Sequence, residues 1–234
     1  EDGNIGKIRD FYFDGKTWRI NYLVVDTGKW LPGREVLISP QAVDIITPED
    51  KTVSVKLTKK QVKDSPPSHS DVPISRQYEA ELFTYYGWTP YWGGAAMWHP
   101  GAEAAPTPTE PARSDRPPED VEEKTSLRSA RKIEKYTVQA ADGEVGKADD
   151  YIFDDEDWYI RYLVVDISKM VSGRKVLLSV EWLTDISWQE YLVKTDLTRD
   201  KIKQSPEWES SAPVDRNLEG RIHDFFARPG YWNK

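Results

Sequence analysis

Apolar and polar residues alternate in short runs along the chain, which is the pattern of β-strands rather than of long helices. The clearest run is KTWRINYLVVD at 16–26. Its apolar residues at a spacing of two are Trp18, Ile20, Tyr22 and Val24. Leu23 and Val25 make the opposite face apolar too, as in a central strand or the wall of a small barrel. The Asp-Gly pair at 14–15 predicts a hairpin that joins this run to IGKIRDFYFD at 5–14.

The whole pattern occurs twice, 140 residues apart. Residues 2–92 align with 142–232 without a gap, so that NYLVVDTGKWLPGREVLIS at 21–39 returns as RYLVVDISKMVSGRKVLLS at 161–179. A repeat of this length is a domain rather than one unit of a solenoid. We therefore predict a first copy at 1–92, a linker at 93–125 and a second copy at 126–234. The linker is rich in Pro, Ala and Glu, which predicts a flexible tether.

Further strands and helices are predicted within each copy. The runs REVLIS, TVSVKL and EYLVKTDL predict short strands at 34–39, 52–57 and 190–197. A short helix follows, with Thr58 as its cap, Gln61 completing a capping box and Ser-Pro at 65–66 ending it. A second helix is predicted to begin at Ser75, or at Asp215 in the second copy, and to lead into an aromatic tail.

The second copy has a lead-in, SLRSARKIEKYTVQAA at 126–141, that has no counterpart before the Asp-Gly pair of the first copy. If this lead-in contains the first strand, the first copy as given lacks that strand. A trimmed sequence would account for the difference. A strand supplied by another chain, which would make the protein a dimer, is the alternative.

Composition limits the function more than it identifies it. The chain of 234 residues has no cysteine, so disulfides, zinc-thiolate sites and thiol nucleophiles are excluded. The net charge of −8 is acidic, and neither copy has the basic surplus that attracts nucleic acid. No apolar run approaches the roughly 18–20 residues that span a bilayer. A cytoplasmic location is expected.

Two long stretches resemble a known family. DGNIGKIRDFYFDGKTWRINYLVVD with GREVLIS, at 2–26 and 33–39, and DGEVGKADDYIFDDEDWYIRYLVVD with GRKVLLS, at 142–166 and 173–179, are similar to the PRC-barrel domain. The family's barrel forms the cytoplasmic domain of the photosynthetic reaction centre H subunit and the C-terminal domain of a ribosome-maturation factor. The resemblance implies a mainly β fold. It would consist of two small PRC-type β-barrels with short helices and aromatic C-terminal tails, joined by a flexible linker.

The sequence offers no catalytic or cofactor-binding residues. His69, His99 and His223 do not recur between the copies, so we expect surface or tail positions for them. The acidic residues near the second hairpin are weak metal candidates, namely Asp149, Asp150, Asp154, Asp155 and Asp157. Turn formation is the main expectation for the recurring Asp at the hairpin tips. Structural roles are predicted for Asp26, Arg34, Asp166 and Arg174, with each Asp tying down the next loop through the Arg.

Aromatic residues cluster in the two tails. The candidate interaction residues are Tyr85, Tyr86, Trp88, Tyr91, Trp92, Phe225, Phe226, Tyr231 and Trp232. Such side chains bury large areas with few rotatable bonds, and they are common at interfaces. Each tail would either fold back over its own barrel or form a partner or dimer interface. Stacking on RNA is disfavoured because no basic residues interleave with these aromatics.

These features favour a non-enzymatic interaction or scaffold module that docks onto a larger assembly. Two linked copies suit bivalent binding. The resemblance implies either a membrane bioenergetic complex, such as one like the photosynthetic reaction centre, or a ribosomal or RNA-processing particle. A weak metal- or ligand-binding stress protein is a further alternative. The expected partners are one or more proteins, including a second copy of the chain, and no cofactor is expected.

Overall fold

A computed structural model describes residues 3–67, 74–92, 126–209 and 213–233 of the chain. The strands are β1 (Lys7–Asp14), β2 (Ile20–Asp26), β3 (Glu35–Ile38), β4 (Val43–Thr47), β5 (Thr52–Val55), β6 (Leu127–Ser129), β7 (Thr137–Ala140), β8 (Gly143–Phe153), β9 (Ile160–Asp166), β10 (Lys175–Ser179), β11 (Leu183–Ser187) and β12 (Leu192–Thr195). The helices are α1 (Lys59–Asp64), α2 (Arg76–Tyr86), α3 (Ala130–Ile133), α4 (Arg199–Lys203) and α5 (Arg216–Phe226). The prediction of a mainly β fold with short helices is confirmed. The predicted linker and the residues His69 and His99 lie outside the described ranges.

The strands form sheets with a repeated order. One sheet has the order β3-β2-β1-β6, a second has the order β10-β9-β8-β7-β12-β11, and β4 pairs with β5 in a third. The strand β7 comes from the lead-in and joins β8 to β12, so the expectation that the lead-in contains a strand is confirmed. The equivalent strands β1 and β5 lie in separate sheets.

The contacts divide the chain into two compact units. One contains residues 1–9 and 24–127, and the other contains 10–23 and 128–234. The second unit therefore includes the tip of the first hairpin as well as most of the second copy. This division follows contacts rather than the duplication, and the domain boundaries drawn from the repeat stay a prediction.

The core of the second unit is built on β8, β9 and β10. These strands pair in antiparallel register, with Leu163 opposite Tyr151 on one side and Leu178 on the other. Every residue of β9 from Tyr162 to Val165 is buried, because both faces of this central strand are covered. The hairpin tip of the first copy adds to this core through Phe13 and Ile20.

The two hairpin tips inside this unit pair with each other. The N–H of Ile20 donates to the carbonyl of Trp158 at 2.7 Å, and the N–H of Ile160 donates to the carbonyl of Trp18 at 2.9 Å. The contact is reciprocal because the paired residues occupy equivalent positions in the two copies. It fixes the tip of the first hairpin against the second.

The placement of Trp18 in a strand was wrong. Asp14 accepts hydrogen bonds from the N–H groups of Lys16 and Thr17, and Trp18 donates its own N–H to the carbonyl of Asp14. These bonds close the loop before the strand starts, and they leave Trp18 with a φ of 64°. Its ring stacks on Phe13 with the centroids 5.1 Å apart, so the half-buried Trp18 packs against the core through this stacking and not through strand alternation.

The helix starts follow the predicted capping residues. Thr58 accepts from the N–H of Gln61, whose side chain returns the bond, and this confirms the capping box. Ser75 caps α2 and Asp215 caps α5. None of the helices in the described ranges is long and apolar enough to cross a membrane.

Candidate functional site

A buried carboxylate holds the tail of the second copy against the sheet. Glu219, on α5, accepts hydrogen bonds from the hydroxyls of Tyr162 on β9 at 3.1 Å and Tyr231 in the tail at 2.9 Å. The guanidinium of Arg216, one turn earlier on α5, lies 2.9 Å from its other oxygen. We call Tyr162, Arg216, Glu219 and Tyr231 the carboxylate cage. Its four members join a strand, a helix and the chain end.

The same arrangement recurs in the tail of the first copy. Glu79 is fully buried on α2, and it accepts from the hydroxyl of Tyr91 at 2.5 Å. Arg76 lies 2.8 Å from its second oxygen. These residues precede their counterparts in the carboxylate cage by 140 positions. The duplication has therefore kept a buried carboxylate that is paired with a partly exposed arginine. A buried carboxylate needs further hydrogen bonds to offset the loss of hydration, and the tyrosine hydroxyls supply them.

The aromatic ends of both tails fold back over their own helices. The guanidinium of Arg76 lies 4.6 Å from the ring centroid of Trp92, and that of Arg216 lies 4.4 Å from the ring of Trp232. Both are cation–π contacts. Tyr91, Trp92, Tyr231 and Trp232 are thus engaged within their own copies. Of the two alternatives for the tails, self-packing is the one that describes these four residues.

The phenols that donate to these two carboxylates keep their protons over a wide pH range. Burial, followed by the charge of Glu219, raises the pKa of Tyr162 above its ordinary value of 10.0. Burial and Glu219 raise the pKa of Tyr231 in the same direction. The pKa of Tyr91 is raised by burial and by Glu79. A phenol that keeps its proton continues to donate to the carboxylate, which stabilises the closed tail.

His223 differs from a surface residue. It is 2% exposed, its Nδ1 lies 3.0 Å from the carbonyl of Pro229, and its Nε2 lies 3.1 Å from the hydroxyl of Tyr162. Its ring also packs edge-on against Trp232 at 4.9 Å. The equivalent residue in the first copy is Phe83, which packs against Trp92 at 4.8 Å. The tail histidine is therefore a packing residue with two polar contacts.

The other candidate interaction residues divide by exposure. Tyr86 stacks on Trp88 at 4.2 Å, and Phe226 is buried against Trp182. Tyr85 is 41% exposed and Phe225 is 37% exposed, although each touches its neighbouring ring. Tyr85 and Phe225 occupy equivalent positions on α2 and α5. The structure thus leaves one exposed aromatic ring at the same place on each tail helix.

The acidic residues of the second hairpin are spread among separate partners. Asp149 binds Lys175 at 2.6 Å, and Asp150 accepts from the N–H of Tyr151. Asp154 and Asp157 both bind Arg161 and also accept from backbone N–H groups of the turn. Asp155 is exposed. Within the described part of the chain no three His, Asp or Glu side chains are arranged to hold a metal ion.

The Asp and Arg residues with predicted structural roles act separately. Asp26 accepts from the N–H of Gly28 at 2.8 Å, and Asp166 accepts from that of Ser168 at 2.8 Å, so each ties down the next loop as predicted. The hydrogen bond from the backbone N–H of Gly28, followed by the one from the side chain of Arg9, lowers the pKa of Asp26.

The predicted pairing of each Asp with Arg34 or Arg174 is wrong. Arg34 donates to the carbonyls of Lys63 and Ser65, and Arg174 donates to the carbonyl of Ser205 at 2.5 Å. The carbonyls at a helix end lack partners within the helix, and the guanidinium supplies one. The recurring Ser-Pro pairs thus mark the place where each short helix meets its arginine.

A cleft of about 380 Å³ opens in the second unit beside the paired hairpin tips. Its wall includes Trp18, Tyr159 and Tyr231, and its charged groups include Lys16, Arg161 and Glu181. Arg161 already binds two carboxylates and stacks on Tyr231 with its guanidinium carbon 4.0 Å from the ring centroid. The guanidinium in the cleft is therefore already engaged.

Sequence reasoning missed the acidic and basic members of the carboxylate cage. Glu219 is a charged helix residue, and such residues are mostly exposed. A signal was nevertheless present, because the spacing Arg-x-x-Glu occurs at 76–79 and again at 216–219. Its repetition beside the two Tyr-Trp pairs indicates one structural unit.

Comparison with known proteins supports the resemblance of the first copy to the PRC-barrel domain. No curated protein gives a significant match to the chain. The family model of the PRC-barrel domain matches residues 1–62, which cover β1 to β5 and the start of α1. On that match residues 1–62 belong to the PRC-barrel domain family.

Proposed function

We propose that the chain is a non-enzymatic interaction module in which two PRC-type barrels dock together onto a larger protein assembly. The family match covers residues 1–62 of the first copy, and the repeat extends the same sequence pattern to the second. A PRC-barrel domain suggests a protein-interaction module. Two linked modules raise the effective concentration of the second binding event, so the pair binds more tightly than one copy alone.

The pair of exposed aromatic rings carries this proposal. Tyr85 and Phe225 stand at the same position of the two tail helices, while the rings around them are buried or half-buried. Aromatic side chains contribute strongly when they enter a partner's pocket, because they bury a large area at a small entropic cost. A matching ring on each copy suits a partner that offers two similar sites.

The favoured partner is the cytoplasmic side of a membrane bioenergetic complex, as the likeness to the reaction-centre subunit implies. A ribosomal or RNA-processing particle is the second candidate. The net charge of −8 opposes direct binding to nucleic acid, so contact with such a particle would run through its proteins.

Site-specific photocrosslinking in the source organism tests this proposal. A photoreactive amino acid replaces Tyr85 in one strain and Phe225 in another, and the cells are fractionated into membrane complexes, ribosomes and free protein after irradiation. The matched controls carry it at Thr84 and Asp224, which are exposed neighbours about 100° away around each helix.

The expected result is one partner protein crosslinked from Tyr85 and Phe225 but not from the control positions. Its fraction chooses between the membrane complex and the ribosome. Crosslinks that join only two copies of the chain would replace the scaffold with a homo-oligomer. Equal crosslinking at all four positions, or none, would contradict the proposal.

A further inference from the structure

Polar contacts form a continuous chain inside the tail of the second copy. The Nδ1 of His223 lies 3.0 Å from the carbonyl of Pro229, and its Nε2 lies 3.1 Å from the hydroxyl of Tyr162. The same hydroxyl lies 3.1 Å from the carboxylate of Glu219. The side chains of His223, Tyr162 and Glu219 are all buried, so bulk solvent does not reach these contacts. We call these four groups the hydrogen-bond chain.

The hydrogen atoms available to the hydrogen-bond chain can be counted. A carbonyl oxygen only accepts, so the Nδ1 of His223 carries a hydrogen that it donates to Pro229. A phenol has a single hydrogen, and burial followed by the charge of Glu219 raises the pKa of Tyr162, which keeps that hydrogen in place. A neutral imidazole has no hydrogen left for Nε2, so the hydroxyl of Tyr162 would have to serve both Nε2 and Glu219. One of the two contacts at 3.1 Å would then lack a hydrogen.

One added proton completes every contact. With hydrogens on both nitrogens, His223 donates to the oxygen of Tyr162, and the hydroxyl of Tyr162 donates to Glu219. The added proton belongs on the imidazole, because Glu219 also accepts from the hydroxyl of Tyr231 at 2.9 Å and lies 2.9 Å from the guanidinium of Arg216. Such donors favour the charged form of a carboxylate.

The surroundings of His223 place one buried negative charge close to it. Burial opposes a charge on the imidazole, and the carboxylate of Glu219, one hydroxyl away, offsets that cost. Arg216 repels an imidazolium, but its side chain is 57% exposed, so solvent screens the repulsion. The imidazole ring itself packs on two indoles, those of Trp182 and Trp232. Among the described residues, the other titratable or charged groups around the site are Tyr231, Arg161 stacked on Tyr231, and Arg228, which lies 6.0 Å from the ring of Trp182 and binds Asp196.

The first copy has the buried carboxylate without the imidazole. Phe83 takes the place of His223, and it packs against Trp92 with the ring centroids 4.8 Å apart. Glu79 still accepts from the hydroxyl of Tyr91. A tail can thus fold back on its carboxylate with no titratable ring beside it. Packing alone therefore does not require a histidine at this position.

We propose that the closed tail of the second copy, meaning α5 and residues 227–233 folded against β9, binds one proton on His223 and is stabilised by acidification. In the closed tail this proton completes the hydrogen-bond chain up to a carboxylate, whereas an opened tail offers His223 only water. The closed tail therefore binds the proton more tightly than the open one. Its stability rises as the pH falls through the range in which histidine ionises, and this gain is lost as the pH rises again.

The proton site involves neither Tyr85 nor Phe225. The crosslinking result at those rings leaves it untouched, so the two proposals are tested independently.

Hydrogen exchange of the full chain, followed by mass spectrometry, tests the proposal. Exchange is measured at about pH 8 and about pH 5, the limits between which histidine ionises, and is corrected for the intrinsic effect of pH on amide exchange. We expect peptides covering residues 216–231 to be protected about tenfold more strongly at the lower pH. Peptides covering residues 76–91, where Phe83 replaces the histidine, are the internal control and should change by less than about twofold.

Two variants separate the proton from the packing. His223→Phe copies the residue of the first copy, so it should keep the tail folded and remove the gain in protection at low pH. Tyr162→Phe removes the hydroxyl that joins the imidazole to Glu219. An imidazolium would then be buried without an acceptor, so protection in this variant should fall on acidification. Each variant is compared with itself at the higher pH, and a general loss of stability does not affect the comparison.

Nitrogen-15 spectra of the imidazole rings give a second readout, in which the signal of His223 is the one that His223→Phe removes. At low pH this signal should show both ring nitrogens protonated while the tail remains protected from exchange. A neutral ring in a protected tail would overturn the proposal. Protection of residues 216–231 that falls or stays constant on acidification would do the same, and an equal gain in His223→Phe would assign the effect to another group.

Discussion

The hydroxyl of Tyr162 lies 3.1 Å from a carboxylate oxygen of Glu219, and both side chains are buried. Tyr162 is in the centre of the sheet, and Glu219 is on the tail helix. The hydrogen bond therefore joins the tail to the core at a point that water does not reach. A buried polar group that loses its partner pays its full cost of desolvation, which makes this pair sensitive to substitution.

Removing the carboxylate should destabilise the second copy. Glu219→Ala leaves the hydroxyls of Tyr162 and Tyr231 without their acceptor and opens a cavity, so we expect the free energy of unfolding to fall by about 2–4 kcal/mol. Urea denaturation measures the loss. The control is Glu209→Ala, at an exposed position, which should change stability by less than about 0.5 kcal/mol. Equal effects of the two substitutions would show that the carboxylate cage is not stabilising.

The raised pKa of Tyr162 predicts a loss of stability in alkali. Above pH 10 the unfolded chain releases the phenolic proton and the folded chain keeps it, so the free energy of unfolding falls as the pH rises. Below pH 10 this contribution is fully present. Each tyrosine with a raised pKa steepens this fall of the unfolding free energy by up to about 1.4 kcal/mol per pH unit.

Tyr162→Phe should therefore make the free energy of unfolding fall less steeply between pH 10 and 11. Urea denaturation at a series of pH values measures this. The comparison is Tyr191→Phe, which alters a ring that is 65% exposed and should leave the slope as it is. An unchanged slope for Tyr162→Phe would show that the phenol ionises alike in the folded and unfolded chains.

Strand positions were predictable because burial on the two faces of a strand imposes a spacing of two. That rule found β1, β2 and β3 and the buried residue Tyr22. It failed at Trp18, where hydrogen bonds to Asp14 close the loop and override the apolar pattern. A local side-chain bond competes with strand pairing, and the alternation of apolar residues does not reveal which one wins.

The carboxylate cage was harder to predict because its charged members look like surface residues in the sequence. Glu219 becomes buried only because Arg216 and two phenols from distant segments converge on it. That convergence depends on the path of the chain after α5. The Ser-Pro pairs were similarly recognised as helix ends, while the arginine that meets each of them comes from a loop some 31 residues earlier.

Arg34 should stabilise the first copy through the end of α1. It donates to the carbonyls of Lys63 and Ser65 and to the hydroxyl of Ser65. We expect Arg34→Ala to lower the free energy of unfolding by about 1–3 kcal/mol.

Arg34→Lys should recover less than half of that loss, because an ammonium group lacks the planar fork that reaches several acceptors. Lys29→Ala, in the exposed part of the same loop, is the control. Full recovery by lysine would mean that charge alone matters at this position.

Two glycines of the second copy should respond to alanine with opposite signs. A Cβ atom at Gly146 would lie 2.2 Å from the carbonyl oxygen of Asp166, and β8 cannot move away without breaking its pairing with β9. Gly220 lies in the middle of α5, and a Cβ there would meet no atom within 4 Å. The first copy already has Ala80 at the position equivalent to Gly220.

We expect Gly146→Ala to lower the free energy of unfolding by about 2–3 kcal/mol, because the added methyl group forces the two strands apart. Gly220→Ala should raise it by about 0.5–1 kcal/mol, because alanine favours the helix and restricts the unfolded chain. Thermal denaturation of both variants beside the natural chain measures the two shifts. If both variants were destabilised, Gly220 would have a packing role on α5, whereas tolerance at Gly146 would show that β8 can bend away from Asp166.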